Sequence, residues 1–212
     1  MTSQAGVVRR TFFGRLAALS SALVGVATLP SIANAERRAP THPADAWLDD
    51  LKGIHKNIYD CTTGENGPLG WAFARNFFIA NTGPIYQLKD PDVTVIVSVR
   101  HLATGFGFSD AMWAKYPLGE VFKVNDGASP AVKNPQAAAS TELAARGAIV
   151  TVCSMATTKF AGQIAAKTGL KAADVEADLK ANLVTASARM VAAGVIITNR
   201  AQERGFTYTY VG

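Results

Sequence analysis

Hydrophobic positions along the chain change period repeatedly between two and about 3.6, and the changes are punctuated by Gly, Pro and Asn. Residues 46–52 suit a short helix, with Asp45 in its first turn. The segment 55–61 then reads as a strand, ended by the turn-rich Thr63-Gly64-Glu65-Asn66-Gly67-Pro68. Over 69–80 the apolar residues recur at helical spacing. Val93-Thr94-Val95-Ile96-Val97-Ser98-Val99 is the strongest strand, and its near-continuous β-branched run is that of a strand buried on both faces. A helix over 111–116 follows, begun by Ser109-Asp110 with Asp110 as its cap and stopped by Pro117; Trp113 and Tyr116, a turn apart, share its packing face. Residues 119–135 read as loop, and 141–146 as a helix closed by Gly147. A strand over 148–153 runs directly into a helix reaching about 167, with Gly169 as its stop. An Ala-rich helix is expected over 171–188, a fourth strand over 194–198, a short helix over 199–204 and a terminal strand over 206–210.

Strands alternating with helices predict an α/β fold: a three-layer, open, mostly parallel sheet of about five strands, Rossmann-like, with helices on both faces. At 212 residues, 49% of them hydrophobic, the chain is long enough for one such domain with a substantial core.

The formal charge of +5 overstates the basicity of that domain. Residues 1–35 contain Arg9, Arg10 and Arg15 and no acid; setting those three aside leaves 18 Lys and Arg against 16 Asp and Glu. So even a balance does not supply the clustered basic face that nucleic-acid binding needs. The same 35 residues have the form of an export signal: a charged start, an apolar run over 16–29 too short to span a bilayer, and Ala33-Asn34-Ala35 as a cleavage site after Ala35. Arg9-Arg10-Thr11-Phe12-Phe13 resembles a twin-arginine signal, whose passengers cross the membrane folded; the export machinery would read Arg9 and Arg10. Residues 36–46 then form a flexible leader, 47–212 the domain, and the periplasm is the expected compartment, with no membrane span in the mature chain.

Open parallel sheets hold their sites at the carboxyl ends of the strands. Those ends place Cys61 after the first strand, Arg100 and His101 after the second, Cys153 after the third, and Asn199 and Arg200 after the fourth. Cys153 immediately precedes a helix, whose positive end would stabilise a thiolate and sharpen its nucleophilicity; the alternative is a buried Cys acting as a small hydrophobe. Cys61 could resolve a persulfide on Cys153, pair with it, or bind a metal beside it, although strands that are not neighbours would hold the two too far apart for a disulfide, and Asp60 disfavours a thiolate there. His101 could serve as a base, a metal ligand or, with Arg100, a partner for an anion, or could simply hydrogen-bond the loop backbone. His42 and His55 lie in the leader and at a strand start. Arg200 at a helix start opposes the helix dipole, which suggests an anion or a subunit contact. Nucleotide-phosphate loops, dinucleotide fingerprints, zinc-protease motifs and a serine elbow are all absent from the sequence.

Four segments carry a resemblance: Val99-Arg100-His101-Leu102-Ala103-Thr104, Asp110-Ala111-Met112-Trp113-Ala114-Lys115-Tyr116, Val150-Thr151-Val152-Cys153-Ser154-Met155-Ala156 and Asn199-Arg200-Ala201-Gln202-Glu203-Arg204-Gly205. Through them the chain resembles the DsrE/DsrF-like family of sulfur-relay α/β proteins, in particular its exported, twin-arginine-signalled members. The resemblance implies the α/β fold, a homo-oligomer, and a persulfide on the Cys that follows a central strand, here Cys153. A sulfur donor or acceptor protein would then be the partner. The competing expectation is a non-enzymatic periplasmic protein that holds a small molecule or metal at the same strand ends; neither expectation names a cofactor.

Overall fold

The computed structural model describes residues 42–212. The residues assigned above to the export signal, Arg9, Arg10 and Ala35 included, lie outside the described residues, as does the leader up to residue 41.

A 3-10 helix, Pro43–Asp50, opens the described chain, its first turn capped by the His42 side chain, so helical structure begins inside the expected leader. There follow β1 (His55–Cys61), α1 (Leu69–Thr82), β2 (Val93–Val99), a 3-10 helix His101–Gly107, α2 (Asp110–Lys115) and α3 (Leu118–Phe122). Next come a two-residue hairpin, β3 (Asn125–Asp126) with β4 (Ser129–Pro130), then α4 (Ala137–Ala145), β5 (Ile149–Cys153), α5 (Ser154–Thr168) and α6 (Ala172–Ala181). The chain closes with β6 (Arg189–Val191), α7 (Gly194–Gln202) and β7 (Thr207–Val211). The main sheet has five strands, all parallel, in the order β6-β5-β2-β1-β7.

This is the expected three-layer α/β fold, and the strand pattern shows why. Along β2, Val93, Val95, Val97 and Val99 enter one core with α1, α4 and α5, while Ile96 enters a second core with Ile197 and Ala201 of α7 and Leu48 of the first 3-10 helix. Every residue of β2 is therefore buried, which suits its mostly β-branched sequence. The first core is large and aromatic: Trp71 meets Phe106 edge-on, and Phe106 stacks on Trp113. Trp113 is thus a core residue, its Nε1 donating to the Gly105 carbonyl at 3.0 Å. The second core is thinner, and the sheet face beneath it carries Thr94, Asp60, Ser98 and Thr151 among its apolar residues.

Several expectations are corrected. Residues 194–198 are the start of α7, not a strand; the fourth strand of the sheet in chain order is the short β6. The helix expected over 171–188 ends at Ala181, and the chain beyond it turns past the 3-10 helix His101–Gly107, with Leu183 bridging Phe108 and Val184 N–H on the Gly107 carbonyl. Pro117 starts a helix rather than only ending one, and α3 occupies ground read as loop. Asp110 does not cap α2: Ser109 holds the cap position, and the Asp110 carboxylate accepts from the Asn134 amide at 2.8 Å. Among the described residues no helix is long and apolar enough to cross a membrane.

Candidate functional site

The helices after β5 and β6 leave the sheet on opposite faces. α5 packs with the large core, α7 with the small one, so their N-termini diverge across the carboxyl edge of the sheet. Such a switch point opens a crevice between adjacent strands. A cleft of about 620 Å³ occupies it. Its walls come from the exit of β2 (Arg100, His101, Leu102), from α3 and the residue that ends it (Val121, Lys123), from α5 and from the start of α7.

Cys153 ends β5 and is the N-cap of α5; its Sγ accepts the Ala156 N–H at 3.4 Å. The residue is 6% exposed and lines the cleft. Thr157 secures the same turn by donating its hydroxyl to the Cys153 carbonyl at 2.9 Å. Across the cleft, α7 begins at Gly194 after Ala193, whose side chain makes no cap bond, so the N–H groups of the cleft-lining Gly194 and Val195 have no side-chain cap.

His101 stands exposed on the rim with left-handed backbone, φ 50°, unusual for a residue with a Cβ. Its ring makes no hydrogen bond to the loop backbone. Arg100, one residue earlier, is committed below the cleft: Nε and Nη2 donate to the two Asp60 oxygens, each at 2.8 Å, and Tyr208 donates its hydroxyl to the same carboxylate at 2.8 Å. This bidentate pair holds the guanidinium even more firmly protonated than usual. Arg100 therefore meets the cleft with its stem and remaining donors, not as an unengaged anion receptor.

Cys61 stands apart. It is fully buried on the α1 face, so close to Gly70 that a Cβ there would lie 2.3 Å from its Sγ. Strand β2 separates β1 from β5, which puts the cysteines two strand spacings apart, roughly 9–10 Å, and beyond disulfide reach. Both are free. Burial, and secondarily the Asp60 charge, push the Cys61 thiol well up. This arrangement does not suit a resolving thiol. Asn199 and Arg200 are also elsewhere: both lie in the second half of α7, with Arg200 on Glu203 at 3.0 Å and Asp45 at 3.4 Å. Its expected anion is thus met by two carboxylates of its own chain. No group of three or more His, Cys, Asp or Glu that could hold a metal occurs among the described residues.

Lys123 and Lys159 belong to the cleft, though neither stands at a strand exit. Met155, Lys159 and Gln163 recur every fourth residue along one stripe of α5, a signal readable beside Cys153. Lys123 carried no such signal, since it follows a helix that the sequence did not reveal.

Burial also fixes an alkaline response. The fold keeps the Cys61 thiol protonated where an unfolded chain releases the proton near 9.0, and it raises Tyr59 from 10.0 to about 12 by desolvation. Above those ordinary values the native state binds more protons than the unfolded one, so stability falls as pH rises, by up to about 1.4 kcal/mol per pH unit per group. Urea denaturation of the wild type and Cys61→Ala from pH 8 to 10.5 should show a shallower decline in the variant; Tyr59→Phe should flatten the portion above pH 10.

No protein-family model matches the chain, and no curated protein does. Among solved structures, a protein of unknown function from Methanobacterium thermoautotrophicum is similar at 13% identity, over 74% of this chain and 98% of that one, with a TM-score of 0.41.

Proposed function

We propose that the protein handles sulfur in the periplasm through Cys153, as a persulfide carrier or thiol-exchange partner with one working cysteine. The observation that carries this reading is the position of the sulfur: an N-cap at a strand's carboxyl end, on the wall of a switch-point cleft, with a backbone N–H donated to it. His101 on the rim supplies a proton donor or acceptor near the same opening. The second cysteine, sealed under α1, favours a carrier that unloads to an external acceptor over an internal dithiol cycle. The resemblance to exported sulfur-relay proteins points the same way, and with it go a donor or acceptor protein and a homo-oligomeric state.

Loading requires the Cys153 thiolate to attack the outer sulfur of a donor R–S–S⁻, forming Cys153–S–S⁻ as RS⁻ leaves. Mature protein purified natively should therefore lose about 32 Da on mild reduction, and Cys153→Ser should lose nothing. In the native wild type, iodoacetamide should label Cys153 and spare Cys61 until the protein unfolds. An unchanged mass before and after reductant, with label reaching neither cysteine, would instead favour the cleft as a binding site for a small molecule, consistent with a Cys153 only 6% exposed.

A further inference from the structure

The switch-point cleft carries cations and no carboxylate: Lys123 and Lys159 stand exposed along it beside His101, Arg100 in its pair with Asp60 lies at its base, and no Asp or Glu lines it. Lys167, two turns beyond Lys159 on α5, meets Glu120 at 2.6 Å, and Lys115 meets Asp178 at 2.6 Å. Among the described residues neither Lys123 nor Lys159 makes an ion pair; Lys159 instead lies over the Phe160 ring, 5.7 Å from its centroid.

Backbone strain collects at the same place. Three non-glycine residues among those described have left-handed backbone, and two of them, His101 at φ 50° and Lys123 at φ 56°, line this cleft. Each such residue costs on the order of 1 kcal/mol, and strain of this kind gathers at ligand clamps. The N-termini of α5 and α7 add partial positive charge from two sides. The walls between the charges are apolar, with Val121, Ala156, Phe160 and Val195, and the volume is that of a small-molecule site rather than of a bare ion.

We infer that the cleft binds a small organic anion, its apolar body against Val121 and Phe160 and its acidic group met by Lys123 and Lys159. This deepens the sulfur-handling proposal: that the anion also carries the sulfur exchanged with Cys153 rests on that reading, while the ligand class rests on the cleft alone. Lys159 lies six residues past Cys153, about 9 Å along the helix axis. A ligand spanning both has its acidic group several bonds from its sulfur, as in an organic disulfide with a remote carboxylate or sulfonate. In that exchange the Cys153 thiolate forms a bond to one ligand sulfur and the other leaves as a thiolate, with no further oxidant needed.

The test uses two fluorescent probes with one ring system, 1-anilinonaphthalene-8-sulfonate and its uncharged parent N-phenyl-1-naphthylamine, titrated into the purified protein. The sulfonate should bind saturably and more tightly than the neutral probe. Lys123→Gln with Lys159→Gln should weaken the sulfonate about tenfold or more, leave the neutral probe unchanged, and be rescued by Arg at both positions. Equal affinity for the two probes, or a Gln variant that binds the sulfonate as wild type does, would overturn the inference. Cys153→Ser should keep the sulfonate, so the cleft's ligand class is decided separately from whether Cys153 carries sulfur.

Discussion

Arg100→Met should destabilise the protein by about 3–5 kcal/mol, a large share of what a domain this size holds in reserve. The reason lies in the partner it abandons. Asp60 is 1% exposed, and besides the guanidinium its carboxylate has the Tyr208 hydroxyl. Removing Arg100 takes the facing positive charge and two 2.8 Å hydrogen bonds from a carboxylate that is almost fully buried. The loss also spreads. Asp60 lies on β1, Arg100 at the exit of β2 and Tyr208 on β7, and the Arg100 stem supports Gly194 so closely that a Cβ there would stand 2.7 Å from it. One ion pair thus ties three strands to the start of α7, hence to one wall of the cleft. Urea denaturation of Arg100→Met, of Asp60→Leu and of the double variant measures the coupling. The double variant should recover at least half of the Arg100→Met loss, because it leaves no buried charge. A single variant within about 1 kcal/mol of wild type would mean the pair is no more than a surface contact.

That network was only partly legible in the sequence. Arg100 stood out as a polar residue at a strand exit, but nothing in one chain pairs it with Asp60 forty positions earlier; the pairing follows from the β1–β2 register, in which Asp60 faces Ser98 and Cys61 faces Val99. Strands β1 and β2 themselves are readable to the residue, β2 from its near-continuous β-branched run and β1 from the turn-rich segment that ends it. The misreading of Gly194-Val195-Ile196-Ile197-Thr198 has a definite cause. Its β-branched composition suggests a strand, yet the buried residues are Gly194, Ile197, Thr198 and Ala201, a spacing of three, four and seven that belongs to a helix. Composition and period point to different elements here, and the switch point at β5 and β6 depends on α7. Cys153 and His101 were found because strand ends are local features. Lys123 was not, because its place in the cleft depends on how α3 packs against distant chain.

Gly119→Ala should cost at least about 2–3 kcal/mol and should also weaken anion binding in the cleft. A Cβ at Gly119 would lie 2.2 Å from the Ala131 carbonyl oxygen, 2.5 Å from its nitrogen and 2.9 Å from its carbonyl carbon. All three are backbone atoms, so no side-chain rotation relieves the overlap. The segment cannot drift away freely either, since the Val124 N–H bonds the Gly119 carbonyl at 2.8 Å and the Ala131 N–H bonds the Val124 carbonyl at 2.9 Å. Either α3 or the hairpin strand that leads to Ala131 must shift. Val121 and Lys123, two and four residues on, would move with α3 out of the positions that give the cleft one apolar wall and one of its cations. The sulfonate probe should weaken in Gly119→Ala while iodoacetamide still reaches Cys153, which lies on a different element. Gly162→Ala makes the opposing control. It sits inside α5 with nothing within 4 Å of the added carbon, so it should stabilise the protein by about 0.5–1 kcal/mol and leave probe binding as it was. Equal effects from the two glycines would show that chain stiffness, not the contact between α3 and Ala131, sets the shape of the cleft.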